Sequence, residues 1–258
     1  MKIATWNVNS LKVRLEQVCD WLQRTEPDIL ALQETKLRDD AFPVEAFGQI
    51  GYEALFSGQP TYNGVALIAK RGGTDVATAI DGFDDPERRV IAASYGDLRV
   101  MSLYVPNGQR VDSDKYRYKL DWLCALTAQL RNELRRRRRV VLVGDFNIAP
   151  EDRDVHDPAA WQGKVLCSDE ERAALGRLMD LGFTDVFRLF EQDTGAFTWW
   201  DYRAAAFRRN RGLRIDLVLA SDAMSRRCTA CLIDKEPRRS ERPSDHTPVI
   251  AEFDVPAS

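Results

Sequence analysis

Apolar residues along this chain gather in short runs closed by polar clusters, a pattern that fits buried strands better than long amphipathic helices. Such runs predict strands at 2–6, 28–33, 52–57, 65–70, 90–95, 99–105, 140–144, 215–220, 229–234 and 248–253. Helical spacing takes over at 11–24, where Leu11, Leu15, Val18 and Leu22 form one stripe. It returns at 113–137, with Leu120, Leu123, Leu126, Leu130 and Leu134 on one side. Ser168 followed by Glu171 reads as a capping box opening a third helix, which runs to about 181. Many largely antiparallel strands with a few long helices between them predict an α/β (α+β) fold: two sheets face to face, helices outside. No linker, low-complexity segment or repeat divides the sequence, so 1–258 is read as a single domain.

Polar residues sit at the ends of these runs. Asn7 closes the first, Gln33-Glu34 the second, and Tyr104 and then Asn107 follow the run ending at Leu103. Gly144-Asp145-Phe146-Asn147 closes Val140–Val143, while Asp216 opens one late run and Pro243-Ser244-Asp245-His246 precedes the last. Strands running in opposite directions bring such ends and starts to one rim. Alone, each signature is weak: Asp-x-Asn after a strand is usually a turn, and a lone histidine is usually structural. Together they supply what metal-assisted phosphodiester hydrolysis needs: a base for water, an amide to position it, and positive charge for the developing oxyanion.

Composition narrows the setting. No apolar stretch approaches a membrane span, and the N-terminus leads straight into a strand, so a cytoplasmic protein with no membrane partner is expected. Five scattered cysteines argue against a disulfide framework. Cys228-x-x-Cys231 lacks a second ligand pair and is read as two inert thiols, since residues three apart on a strand face opposite sides. A net charge of −3 does not advertise a nucleic-acid binder. Locally, however, five arginines and no acid lie from Arg203 to Arg211 and Arg214, Arg208 among them, beside Trp199, Trp200, Tyr202 and Phe207. Such a stretch suits gripping phosphates and wedging apolar groups into a groove. The arginines at 135–139 are read as a solvated helix terminus complementing the helix dipole.

These stretches resemble the exonuclease III branch of the endonuclease/exonuclease/phosphatase superfamily, which includes class II apurinic/apyrimidinic endonucleases. The resemblance spans KIATWNVN at 2–9, PDILALQETK at 27–36, YNGVALIA at 62–69, VGDFNIAP at 143–150, WWDYR at 199–203, GLRIDLVLAS at 212–221 and PSDHTP at 243–248. GDFN and SDH mark the wider superfamily, and WWDYR followed by GLRID marks the DNA-repair branch. The resemblance implies a four-layer α/β/β/α sandwich and an Mg²⁺-dependent phosphodiesterase, with Mn²⁺ as substitute. It implies double-stranded DNA with abasic sites or 3′ ends as substrate: 3′-to-5′ exonuclease, abasic-site endonuclease and 3′-end trimming in base excision repair. A phosphatase or phosphodiesterase acting on a non-DNA phosphate ester is the alternative.

By the same resemblance, Glu34 is the metal ligand with Asn7 close by, and Asp145, Asn147, Asp245 and His246 complete the metal-proximal set. Asp145 is the base or orienter of the attacking water, with Asn147 beside it. His246 contacts the scissile phosphate, Asp216 orients His246, and Tyr104 donates its phenol to a phosphate or leaving oxygen. Asn107, Arg110, Arg203 and Arg208 are expected to meet DNA. Trp199, Leu213 and Ile215 are expected to line a pocket for a flipped-out abasic sugar. His156 is read as an exposed loop residue, and a monomer is expected.

Overall fold

Strand-forming runs that are apolar on both faces can be buried only between two layers, and the chain meets that demand twice. A computed structural model describes residues 1–255. In chain order the first half carries β1 (Lys2–Asn7), α1 (Leu11–Thr25), β2 (Ile29–Gln33), α2 (Val44–Gln49), β3 (Glu53–Ser57), β4 (Val65–Ala69), β5 (Thr74–Ala77), β6 (Val90–Tyr95) and β7 (Leu98–Tyr104). The second half carries α3 (Asp114–Arg136), β8 (Arg139–Asp145), α4 (Pro158–Trp161), α5 (Asp169–Met179), β9 (Phe183–Asp185), β10 (Asp216–Ser221), α6 (Asp222–Ser225), β11 (Cys228–Ile233) and β12 (Val249–Phe253).

The strands form two six-stranded sheets, ordered β11-β12-β1-β2-β4-β3 and β5-β6-β7-β8-β10-β9. Each sheet has one parallel pair, β1 with β2 and β7 with β8, where a long helix makes the crossover. The inner core lies between the sheets: Ile3, Ala31 and Leu67 from one meet Ile91, Val100, Val141 and Val218 from the other. The outer faces are covered separately. Trp21 and Leu22 of α1 pack on Trp6, Leu30 and Ile68 of the first sheet. Trp122 and Leu126 of α3, with Leu175 and Leu178 of α5, pack on Met101, Leu142 and Leu219 of the second. The layering is therefore α/β/β/α, as expected.

Three details depart from the sequence reading. The short strands β5 and β9 and the short helices α2 and α6 were not expected. The segment around His156 is not plain loop, for a 3-10 turn at Asp152–Asp154 and α4 flank it. Finally, β11 carries a bulge between Cys228 and Ala230. The extra residue cancels the alternation of the strand, so Cys228 and Cys231 both pack on the inner core. Burial pushes the Cys228 thiol up to about 11 and Cys231 well above its usual range. Both thiols are thus disfavoured as thiolates, although the strand geometry behind that reading needed correction. No helix among the described residues is long and apolar enough to cross a membrane.

Candidate active site

The parallel pairs end at the same rim at which β10 and β12 begin. Asn7, Gln33, Tyr104 and Asp145 are the last residues of β1, β2, β7 and β8. Asp216 is the first of β10, and His246 lies three residues before β12. Register does the rest: Asp145 and Asp216 are directly paired across β8 and β10, which puts the two carboxylates on one face.

The side chains converge. Asn7 donates through Nδ2 to Glu34 Oε1 and to Asp145 Oδ2, at 2.9 Å each. His246 lies between two acids, its Nδ1 2.8 Å from Asp216 Oδ2 and its Nε2 3.7 Å from Asp145 Oδ2. Glu34, Asp145 and His246 each offer a ligand atom within 4.8 Å of the others. Asn147 closes the set: its backbone N–H donates to Asp145 Oδ1 (2.9 Å), and its amide to Val105 O (3.0 Å). Glu34 and Asn147 both hold positive φ, 51° and 49°, a left-handed turn that lifts each side chain off its strand end. Gly144, at φ 149°, lets β8 approach β7; a Cβ there would lie 1.9 Å from Leu103 O.

Electrostatics follow from burial and pairing. Burial pushes the Asp145 carboxyl up to about 7, against the opposing pull of His246 and the bonds from Asn7 and the Asn147 backbone. Burial also disfavours the His246 imidazolium, but Asp216 and Asp145 outweigh it and raise the ring to about 10. The ring is thus held cationic at neutral pH. Tyr104 stays a phenol, raised well above 10 by burial and by Glu34 and Asp145, with Arg89 stacked on its ring at 4.8 Å. Asp245 is held ionised: burial opposes it, but His246 and hydrogen bonds from Trp199 and Asn9 lower it.

Asp245 stands apart from the three-residue cluster, because its oxygens already accept from Asn9 Nδ2 (2.9 Å) and Trp199 Nε1 (3.0 Å). Arg110, Arg203 and Arg208 are exposed, but Arg203 is paired with Asp201 at 2.7 Å. Asn107 is exposed and donates to Asn147 Oδ1 at 3.0 Å. Leu213 and Ile215, 0% and 1% exposed, pack with Val155 and Leu166 behind the half-buried Trp199 instead of facing solvent. Arg214 does not belong to the basic surface read from the sequence. It is fully buried, with Asp154 2.6 Å and Asp185 2.7 Å away, because a charge inside the protein must be paired. His156 is half-buried over Gly212 O.

Sequence reading missed several supports. Lys36 Nζ lies 2.9 Å from Glu34 Oε2. Thr198 Oγ1 accepts from the Ile215 and Asp216 N–H groups at 3.0 and 3.1 Å. Ser244 Oγ donates to Asn7 O (2.7 Å) and accepts from His246 N–H (3.2 Å), tying β1 to the histidine. Lys119, inside α3, donates to Asn147 O at 2.7 Å.

The donor set fits a hard divalent cation. Two carboxylates share one amide donor and so face one point, leaving room for waters and a substrate oxygen in the shell. Among the described residues Asp216 Oδ1 is buried with no hydrogen-bond partner, and it adds negative potential there. The arrangement can hold a cation, accept a proton from water and offer a cation to an oxyanion.

Known proteins share this frame. The chain is 35% identical over 269 residues to exodeoxyribonuclease III of Haemophilus influenzae, covering 98% of this chain and all of that one. It matches the structure of a 3′ phosphatase from Neisseria bound to a product DNA hairpin, with TM-score 0.97 and 48% identity over 99% of this chain and 100% of that one. An AP endonuclease from Archaeoglobus fulgidus matches with TM-score 0.95 and 40% identity over 99% and 100%. The family model described as endonuclease/exonuclease/phosphatase matches residues 4–246, and the protein belongs to that family.

Proposed function

We propose that the protein is an Mg²⁺-dependent DNA-repair phosphodiesterase, acting on duplex DNA at abasic sites and at 3′ ends, with Mn²⁺ able to substitute. One observation carries the reading: Glu34, Asp145 and His246 meet within 4.8 Å at one rim, on a fold whose relatives are named as DNA exonuclease, 3′ phosphatase and AP endonuclease. Glu34 and Asp145, with Asn7 beside them, would hold the cation. When bound, it neutralises charge on the phosphodiester and favours ionisation of water.

The remaining steps belong to side chains. Asp145, fixed by Asn7 and by the Asn147 backbone, takes a proton from the attacking water. The amide of Asn147 orients that water. The water oxygen bonds to phosphorus as the bond to the 3′-oxygen breaks, and the His246 imidazolium, kept charged by Asp216, meets the developing charge on a non-bridging oxygen. The Tyr104 phenol donates to the departing 3′-oxygen, leaving a 3′-hydroxyl. Arg110, Arg203 and Arg208 face the DNA backbone. Trp199, with Leu213 and Ile215 behind it, forms the wall beside an extruded baseless sugar, and Asp245 holds Trp199 in place. One chain supplies every group, so a monomer suffices, and five unpaired cysteines fit the reducing cytoplasm.

The test is cleavage by pure protein, with and without Mg²⁺, of a duplex carrying one tetrahydrofuran abasic mimic and of recessed-end duplexes with 3′-hydroxyl or 3′-phosphate. Metal-dependent product is expected. Its absence from all three substrates would refute the reading.

A further inference from the structure

The arginines that close α3 do more than complement a dipole. At the end of the second sheet opposite the catalytic rim lies a cleft of about 790 Å³, lined by six arginines against two aspartates, in a chain whose net charge is −3. Arg136 and Arg138 come from the end of α3 and the turn after it, while Arg226 and Arg227 follow α6. A helix dipole accounts for cations in the last turn of α3. It does not account for cations from a segment almost ninety residues later aimed into the same cleft.

The site is built, not a loose tail. Ser221 Oγ accepts from Val140 N–H (3.0 Å) and donates to Arg138 O (2.8 Å), pinning the backbone between the two arginine groups. Three of the lining arginines are spoken for, Arg137 by Asp75 and Glu133, Arg139 by Asp97 and Arg226 by Asp222. Among the described residues, Arg136, Arg138 and Arg227 have no ion-pair partner. Between the cations, half-buried Leu134, Leu181 and Ala223 contribute apolar surface.

We infer that this cleft docks an acidic peptide segment of a partner protein, its carboxylates gripped by Arg136, Arg138 and Arg227 and one apolar side chain seated on Leu134 and Leu181. Guanidinium forks bind carboxylates in paired hydrogen bonds, and the volume lies in the range of ligand pockets, roughly 300–1,000 Å³. A nucleic-acid backbone fits less well, since ridges of phosphate cannot cover the apolar surface. The duplex at the catalytic rim is also too far away: β8 runs from Arg139 in the cleft to Asp145 in the site, about 20 Å along an extended strand.

The test uses the full chain and a fluorescein-labelled peptide of Asp and Glu residues flanking one Phe, read by fluorescence anisotropy. A control peptide replaces every acid by its amide. Saturable binding of the acidic peptide alone is expected, weakening with salt and falling at least tenfold in Arg138→Glu/Arg227→Glu. The milder Arg138→Gln/Arg227→Gln should weaken it several-fold, and both variants should cut duplex DNA at the native rate. Equal binding of the two peptides, or no loss in either variant, overturns the inference. So does loss in these variants of affinity for a closed dumbbell duplex, measured without metal, if the acidic peptide fails to bind, because the cleft would then be a nucleic-acid surface.

Discussion

Lys119→Met tests whether the helical layer holds the loop that carries Asn147. Lys119 is fully buried in α3, and its Nζ lies 2.5 Å from Glu171 Oε1, 2.7 Å from Asn147 O and 3.2 Å from Asn107 O. Burial lowers its pKa, and Glu171 is the main group opposing that. Methionine keeps the length and apolar stem but removes the ammonium, so the cavity stays filled while Glu171 loses its counter-charge. Three donors remain to that carboxylate: the N–H groups of Leu166 and Ser168 and the Ser168 hydroxyl. Leaving a buried charge without its partner costs about 3–5 kcal/mol, a large part of a total near 5–15 kcal/mol. At about 2–4 °C per kcal/mol for a domain of this size or slightly smaller, the melting temperature should fall by roughly 6–20 °C. The Asn147 carbonyl is freed at the same time, and displacing a positioned group by an ångström can cost about a hundredfold in rate. Thermal unfolding by circular dichroism and single-turnover cleavage well below the melting temperature read the two effects separately. A variant that loses less than about 1 kcal/mol and turns over at the native rate would refute the reasoning.

Two further substitutions probe the frame. Gly144→Ala must place a methyl group against Leu103 O at φ 149°, so strain of about 1–3 kcal/mol and a loss of kcat are expected; unchanged unfolding in urea would contradict that. Arg214→Met strips Asp185 of its counter-charge and leaves Asp154 with Arg188 alone, beneath the segment carrying Leu213 and Asp216, and should cost about 3–5 kcal/mol, checked by the urea midpoint.

The sequence announces most of the candidate site because a run of apolar residues shows where a strand stops. Asn7, Glu34, Tyr104 and Asp145 are legible that way, and the register of Asp145 with Asp216 fulfils the expectation of one rim. What stays hidden depends on tertiary context. Strand β5, Thr74–Ala77, is an edge strand with mostly exposed residues, so no apolar alternation announces it. The bulge in β11 inserts one residue and reverses the face of Cys228, which composition cannot signal. Arg214 sits in an arginine-rich stretch and looks like its neighbours, yet two acids distant in sequence draw it inside. Lys119 was discoverable: with Tyr116, Leu123, Leu126 and Leu130 it occupies helical spacing on the buried face of α3, and a cation in an apolar stripe calls for a buried acid. The cleft arginines were visible as a run, but their meeting with Arg226 and Arg227 required the fold.

Manganese binding followed by electron paramagnetic resonance, alongside cleavage of a tetrahydrofuran duplex, tests the central claim most directly. The native protein should take up the ion and cut, whereas Glu34→Gln, which keeps the shape and removes the charge, should lose ion binding at least tenfold and cleavage with it. Undiminished manganese binding and cleavage in Glu34→Gln would contradict the account.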